Sequence, residues 1–432
     1  MAKTFRPYDP DQMLLMPPSV ADWIPEDHLA RFVRDVVEAL DLRAIEQAYA
    51  EERGYPPYDP RMMVGVLLYA YCTGTYSARK IAAKLVDSVA FRFLAAGNQP
   101  DFRTLSEFRR RHGEALAALF TQGLRLCRQA GLVKLGRVAI DGTKIKANAS
   151  KHKAMSYGRM RTQEAALEQE VRALLRQAEA ADREDDQRYG PDRRGDELPA
   201  ELARRESRLQ KIREAKAALE AEARAQAQAE GRPPESGTPP DKAQRNFTDP
   251  EAKIQKTGDG FIQGDHAQIA VDGGPAQISV AQPVPPAAPD VPPRVPVVTA
   301  MTTALRRKPA QVLADAGYWS ESNGQALEAK GMEPFIAPGR RQHREPAPIA
   351  PRGRPPEGLT TKERMARKLA TLRGHAIYAR RKAIVEPVFG QIKHARGFRQ
   401  FLRRGLVRVQ HEWALVCLSH NLLKLHRATV NG

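Results

Sequence analysis

Along the first third of the chain, apolar residues recur every three or four positions, the spacing that gathers them on one face of a helix. In PEDHLARFVRDVVEAL, Leu29, Phe32, Val33, Val36, Val37 and Leu40 form such a face, with acids in the first turn where the helix dipole favours them. PRMMVGVLLYAYCTG is apolar almost all round and stops at Gly74, which predicts a buried helix. Ser77 is placed to cap SARKIAAKLVDSVAFRFL. Thr104 and Glu107 have capping-box spacing for one long helix through LSEFRRRHGEALAALFTQGLRLCRQAG, ended by Gly131. These two helices flank the turn-rich AAGNQPDFR. Residues 1–135 therefore read as an all-α domain. It is either a helix-turn-helix with Arg109, Arg110 and Arg111 near the start of a DNA-facing helix, or a bundle with a solvated basic face.

A different pattern begins at Val138. VAIDGTKIKA, residues 138–147, reads as a strand that runs into an acid, Asp141, and then turns polar and basic. From about 155 to 230 the helical period returns in a segment rich in Ala, Glu, Arg and Gln. Met160, Leu167, Val171, Leu174, Ala178 and Ala181 form one narrow stripe; Leu202, Leu209, Ile212, Leu219 and Ala223 form another. The polar stretch DDQRYGPDRRGDELP between them predicts an antiparallel helical hairpin, an arm that serves dimerisation or packs back on the body. AEGRPPESGTPPDKAQRN reads as a linker.

Strand alternation resumes in DHAQIAVD and AQISVAQPV, a hairpin around Gly273 and Gly274. A proline-rich stretch at 283–297 roughens the sheet edge, and a helix follows at about 296–306. QVLADAG is a strand ending on Asp315, SESNGQALEAKG a short helix and EPFIAP a further strand. Residues 339–360 form an Arg- and Pro-rich loop, and the remainder is mostly helical. Pro387 marks a start or bend in that last segment. With the hairpin set aside, the order of elements is that of an α/β fold of the ribonuclease-H-like kind, a mixed sheet with flanking helices. The expected domains are 1–135, helical; 136–154, the first part of the core; 155–245, hairpin and linker; and 246–432, the rest of the core with basic C-terminal helices.

Composition narrows the partner. At 432 residues the chain exceeds one ordinary core, and 42% apolar residues suffice for several. No run approaches the ~20 apolar residues of a membrane span. The first residues lack the apolar core of a secretory leader. Cys72, Cys127 and Cys417 are far apart and lack zinc spacing, so a reducing cytoplasm is expected. A formal charge of +18 points to a polyanion, most simply nucleic acid.

Three acids fall where a sheet of this order gathers its site: Asp141 at the first strand, Asp315 after the fourth, and Glu386 in the helical segment beyond the last. Each alone reads equally as a cap or half of an ion pair; Glu386, for example, stands one turn from Lys382. Together they suit Mg²⁺ or Mn²⁺, hard cations that prefer oxygen ligands. Such ions activate an attacking oxygen and stabilise the leaving oxygen of a phosphodiester.

VAIDGTKIKANAS, VLADAGYWSESN and YARRKAIVEPVFGQIKHARGFRQFLRRG resemble, in order, the three active-site segments of DDE-type transposases from bacterial insertion sequences. PRMMVGVLLYAYCTGTYSARKIAAKL and PDFRTLSEFRRRH resemble their helical N-terminal domain, and FIQGDHAQIAVD resembles their second strand. The resemblance implies Asp141, Asp315 and Glu386 as catalytic metal ligands, and cutting and rejoining at element ends. In the family's Tyr/Arg/Glu/Lys signature, Tyr378, Glu386 and Lys393 fit their places. The arginine position holds Lys382, with Arg381 just before it, so charge is kept without an assured planar fork.

Further residues extend this expectation. Thr143, Lys144, Lys146 and Asn148 line a phosphate path or form a solvated loop. Pro387 to His411 contains no acid and holds Lys393, Arg396, Arg399, Arg403, Arg404 and Arg408, which suits a DNA-backbone track. Phe398, Phe401 and Trp319 read first as core, and His266 as structural. The leading expectation is a transposase acting on double-stranded DNA, as a homodimer joining two ends, with no membrane partner. Its rivals are a metal-dependent nuclease without strand transfer and an inactive, DNA-binding relative.

Overall fold

The computed structural model describes residues 19–49, 56–189, 200–229, 231–258, 260–285, 296–339 and 350–430. The chain divides into two compact units, one of 1–131 with Leu415–Gly432, the other of Leu132–Ala414. The first unit thus takes in the end of the span expected to hold the rest of the core and the basic C-terminal helices.

The first unit holds α1 (Leu29–Ala39), α2 (Arg43–Glu46), α3 (Pro60–Cys72), α4 (Ala78–Asp87), α5 (Val89–Leu94), α6 (Phe102–Arg111) and α7 (Gly113–Gln129). As its apolar sequence demands, α3 is buried throughout Met63–Cys72. The helix foreseen from Ser77 is divided by Ser88, and Ser77 makes no side-chain cap bond. The next helix also departs from expectation. Its cap is Asp101, whose carboxylate accepts from Thr104 N at 2.7 Å, and it breaks at His112. Gly131, at φ 73°, ends α7 as predicted. Arg109 is a correction. Its guanidinium is buried and donates to Tyr76 O at 2.8 Å and Tyr71 Oη at 3.3 Å, so it ties α6 to α3 and presents no charge outward. Arg110 is exposed and paired with Glu107, and Arg111 donates to Ala48 O.

The second unit is built on a six-stranded sheet. Its members are β1 (Arg137–Lys146), β4 (Lys253–Thr257), β5 (Gly260–Asp272), β6 (Ser279–Ala281), β7 (Gln311–Ala314) and β8 (Glu333–Ile336). The order is β4-β5-β1-β7-β8, with β6 also on β5. β1 runs antiparallel to β5 and parallel to β7, and β7 is parallel to β8. Buried Val138, Ala139, Ile140, Ile269, Val271, Val312 and Leu313 fill the centre, which explains the near-continuous apolar runs of these strands. Sequence alternation missed β4 and the first half of β5, where polar and glycine positions hide the period.

Between β1 and β4 stands the hairpin of α8 (Tyr157–Tyr189) and α9 (Ala200–Ala229). It has its own core of Tyr157, Met160, Leu167, Val171, Leu209, Ile212, Ala215 and Leu219. α8 runs on through Asp185–Tyr189, the first five residues of the predicted polar turn; the rest of that turn, and the side chains of Ala178, Ala181 and Leu202, lie outside the described residues. The supposed linker ends in β3 (Gln244–Asn246), which pairs with β2 (Ala154–Ser156) as a small sheet at the hairpin's root. The proline-rich stretch lies largely outside the described residues. α10 (Pro296–Leu305) and α11 (Glu321–Ala329) flank the strands. Next come α12 (Thr361–Ala370) and α13 (Leu372–Gly390), which pack on the sheet, and α14 (Leu406–Val430). Pro387 does not start a helix: α13 passes through it and widens into a π turn at Gln391–Ala395.

Candidate active site

β1 is longer than its parallel neighbour, and this mismatch creates the site. Arg137–Ile140 pair with β7, the last partners being Ile140 and Ala314. Farther along, Lys146 bridges in parallel to Gln400, with Lys146 N donating to Arg399 O at 3.2 Å and Phe401 N to Lys146 O at 2.8 Å. The edge of β1 is therefore covered by β7 at one end and by the returning 399–401 segment at the other. Asp141 opens the gap between them. Asp315 follows Ala314, so it takes the next register position beside Asp141. The two sequence-predicted aspartates meet at the carboxyl ends of adjacent parallel strands, the end where open α/β sheets bind ligands.

Each carboxylate is held locally. Asp141 Oδ1 accepts from Gly142 N at 2.8 Å, and Asp315 Oδ1 accepts from Gly317 N at 3.0 Å as the cap of a short 3₁₀ turn. Asp141 Oδ2 accepts from Arg381 Nη1 at 2.9 Å. Burial raises the Asp141 carboxyl above its ordinary range and the Asp315 charge adds to this, while Gly142 N–H and the Arg381 guanidinium pull the other way. Arg381 lies over the Tyr378 ring, 5.8 Å from its centroid, and its Nε is buried without a partner among the described residues. Of the two adjacent cations, Arg381, three residues after Tyr378, is the one that pairs with Asp141; Lys382 is exposed.

Lys393, in the π turn, reaches the same gap. Its Nζ donates to Thr143 Oγ1 at 3.0 Å and to Lys144 O at 3.1 Å. Burial, then the nearby Arg399, lowers its pKa. Such π turns recur at functional positions because they re-aim a side chain without ending the helix. Glu386 is on α13 five residues beyond Arg381, but it is exposed and makes no ion pair or hydrogen bond among the described residues. Among those residues no group of three or more His, Cys, Asp or Glu is arranged to hold a metal ion. The structure sets Asp141 beside Asp315, and Glu386 does not join them in such a group.

Two site residues escaped the sequence reading. His266 faces Gly142 so closely that a Cβ there would stand 2.1 Å from His266 Nε2. Burial lowers its pKa, and the two aspartates pull it back up. The Tyr318 hydroxyl is buried without a partner among the described residues; burial raises its pKa far, with both aspartates adding. The one signal for His266 was the glycine directly after Asp141.

The remaining predicted cations lie around the returning segment. Lys144, Lys146, Arg399 and Arg404 are exposed, and Arg403 is partly so. Arg404 Nε donates to Asn148 O and Asn148 Nδ2 to Leu402 O, each at 2.8 Å, which ties Asn148 to this loop. Phe398 and Phe401 are buried against Trp413, as core. Trp319 is half-buried near Gly324.

At this sheet opening the paired aspartates are flanked by two cations, Arg381 and Lys393. Residues 18–111 match a transposase domain and residues 356–426 match a transposase DDE domain. The second indicates an enzyme that cleaves DNA and transfers strands. Together the two matches support a DDE-type insertion-sequence transposase. No curated protein and no solved structure matches it. Enzymes with this domain generally use divalent metals. No helix among the described residues is long and apolar enough to cross a membrane.

Proposed function

We propose that this transposase binds the end repeats of its element and cuts and joins DNA at a ribonuclease-H-like site formed by Asp141, Asp315 and Glu386. The observation that carries this reading is the adjacency of Asp141 and Asp315 at the ends of parallel β1 and β7. The sheet order, antiparallel strands on one side of β1 and parallel strands on the other, supports it. So does α13, which contacts Asp141 through Arg381 and carries Glu386 on the same helix.

The donor set is chemically suited to Mg²⁺ or Mn²⁺, since all three side chains offer hard oxygens. Asp141 and Asp315 would hold the ion from the sheet, and Glu386 would complete the set on the DNA complex. The bound ion would supply charge stabilisation and a more acidic attacking oxygen. The chain's own residues orient and neutralise. Arg381 sets Asp141 and keeps a buried Nε–H without a partner among the described residues. Lys393, already part-desolvated, stands at Thr143 where a phosphate would pass.

In the first step water attacks phosphorus, the bond to the 3′ oxygen breaks, and the element gains a free 3′ hydroxyl. In the second that hydroxyl attacks a target phosphodiester, one P–O bond replacing another. Lys144, Lys146, Lys382, Arg399, Arg403 and Arg404 form the backbone track and Arg110 a peripheral contact. Two ends must be brought together, so a homodimer on DNA is part of the proposal. The test uses duplexes made from the DNA on either side of the reading frame. Mg²⁺-dependent nicks followed by joined target products are expected; nicks without joined products would make it a nuclease instead.

A further inference from the structure

We infer that Gln277 is a positioning residue for the active-site helix: its side-chain amide replaces the backbone donor that Pro387 removes, and so sets α13 against the sheet. In an uninterrupted helix the N–H of residue 387 would donate to Ala383 O. Proline has no N–H, and its ring crowds that same carbonyl. Gln277 Nε2 donates to Ala383 O at 2.9 Å and lies 3.4 Å from Ile384 O. The carbonyl orphaned by Pro387 is thus satisfied from the turn between β5 and β6, 106 residues away in the chain.

That turn is built to hold the donor in place. The fully buried Asp272 accepts from Leu135 N at 2.8 Å, Lys134 N at 3.2 Å and Gly274 N at 3.1 Å. Gly273 N donates to Arg137 O at 2.7 Å, and Gln277 N to Gly274 O at 3.1 Å. A Cβ on Gly273 would stand 3.2 Å from Ile384 Cδ1, so the helix lies directly on the turn. Gln277 itself has φ 53°, a left-handed conformation that glycine or asparagine adopts more readily. The chain instead carries a side chain long enough to reach α13, at a position where backbone strain points to a role.

The consequence reaches two of the three carboxylate-bearing elements, α13 and β1. Ala383 is two residues from Arg381, which holds Asp141, and three from Glu386. The same turn is registered to β1, since Asp272 pairs with Val138, three residues before Asp141. Gln277 therefore references the helix and the aspartate strand to one point. Its catalytic consequence rests on the proposed role of Glu386; the bond itself does not.

The experiment compares full-length wild type with Gln277→Ala, Gln277→Asn, Pro387→Ala, the Gln277→Ala/Pro387→Ala pair and Glu386→Gln. It measures single-turnover cleavage of end DNA, DNA affinity and urea unfolding. Gln277→Ala and Gln277→Asn should each slow cleavage about tenfold at unchanged DNA affinity, because a small misplacement of reacting groups is costly. Asparagine suits the backbone but cannot reach, so its loss separates the anchor from the turn. In the Pro387→Ala background, the restored backbone N–H serves Ala383 O, and Gln277→Ala should then cost no more than about twofold in cleavage and little in unfolding. Independent, multiplying losses, or wild-type cleavage by Gln277→Asn, would overturn the inference. If Glu386→Gln cleaves normally while the unfolding coupling persists, Glu386 drops out of the proposed carboxylate set and the anchor stands. If Glu386→Gln is inactive and the coupling is absent, the anchor fails alone.

Discussion

Arg381 Nη1 donates to Asp141 Oδ2 at 2.9 Å, joining α13 to the strand that carries the first aspartate. Both side chains are largely buried, 11% and 20% exposed. Removing one partner of such a pair leaves a desolvated charge, more costly than a surface pair and less than a fully buried one. Arg381→Ala should destabilise the protein by about 2 kcal/mol. In an Asp141→Asn background the same change should cost under about 1 kcal/mol, since no carboxylate is left unpaired. Urea unfolding of the four proteins checks this, and equal costs in both backgrounds would contradict the pairing.

Gly142→Ala should disturb the site while sparing DNA binding. Its new Cβ would collide with the His266 ring. The expected penalty is about 1–3 kcal/mol, typical of overpacking, together with slowed cleavage. His266→Ala added to Gly142→Ala should restore most of the stability. A melting temperature for Gly142→Ala equal to wild type would show that the two residues do not touch.

Asp265 gives a pH-dependent prediction away from the site. It is 6% exposed, and burial, with the Asp249 and Glu251 charges, pushes its carboxyl up to about 7. The folded state therefore binds this proton more tightly than the unfolded chain. The sign follows: stability falls as pH rises from about 4 to about 7, then levels off. Asp265→Asn should be the more stable protein at pH 8 by on the order of 2–4 kcal/mol, with the difference vanishing near pH 4. Denaturant titrations at several pH values measure it; a wild type as stable as the variant at pH 8 would refute the assignment.

Buried and exposed arginines should separate cleanly in DNA binding. Arg109→Ala should destabilise the first unit by about 2 kcal/mol or more, because Tyr76 O loses its donor and the helix tie is cut. It should leave the salt dependence of DNA affinity unchanged. Arg403→Ala and Arg404→Ala should weaken binding to all sequences alike and lower the salt slope by about one each. A lowered slope for Arg109→Ala would place that side chain on DNA after all.

The two strands that lead to Asp141 and Asp315 were legible in the sequence because strands buried on both faces are continuously apolar, and each here runs straight into an acid. Arg381 was legible as a charge but not as the one that pairs, since helical phase shifts with one residue. Pro387 suggested a boundary; its lost bond is made good by Gln277, a tertiary contact that no local pattern encodes. Arg109 misled because three consecutive arginines look alike in sequence, and only packing decides which turns inward. β4 was hidden by its polar alternation on an edge, and the true cap of α6 lay three residues before the motif that mimicked it.

The most direct test of the central claim is strand cleavage and joining by Asp141→Asn, Asp315→Asn and Glu386→Gln, each shown to fold and to bind end DNA as wild type does. Wild type should give Mg²⁺-dependent nicking and joined target products, and every variant should lose at least about a thousandfold in both, the scale of removing a group that acts in the transition state. Wild-type products from Asp141→Asn or Asp315→Asn would contradict the account at its root, and wild-type products from Glu386→Gln would reduce the proposed carboxylate set to the two aspartates the sheet brings together.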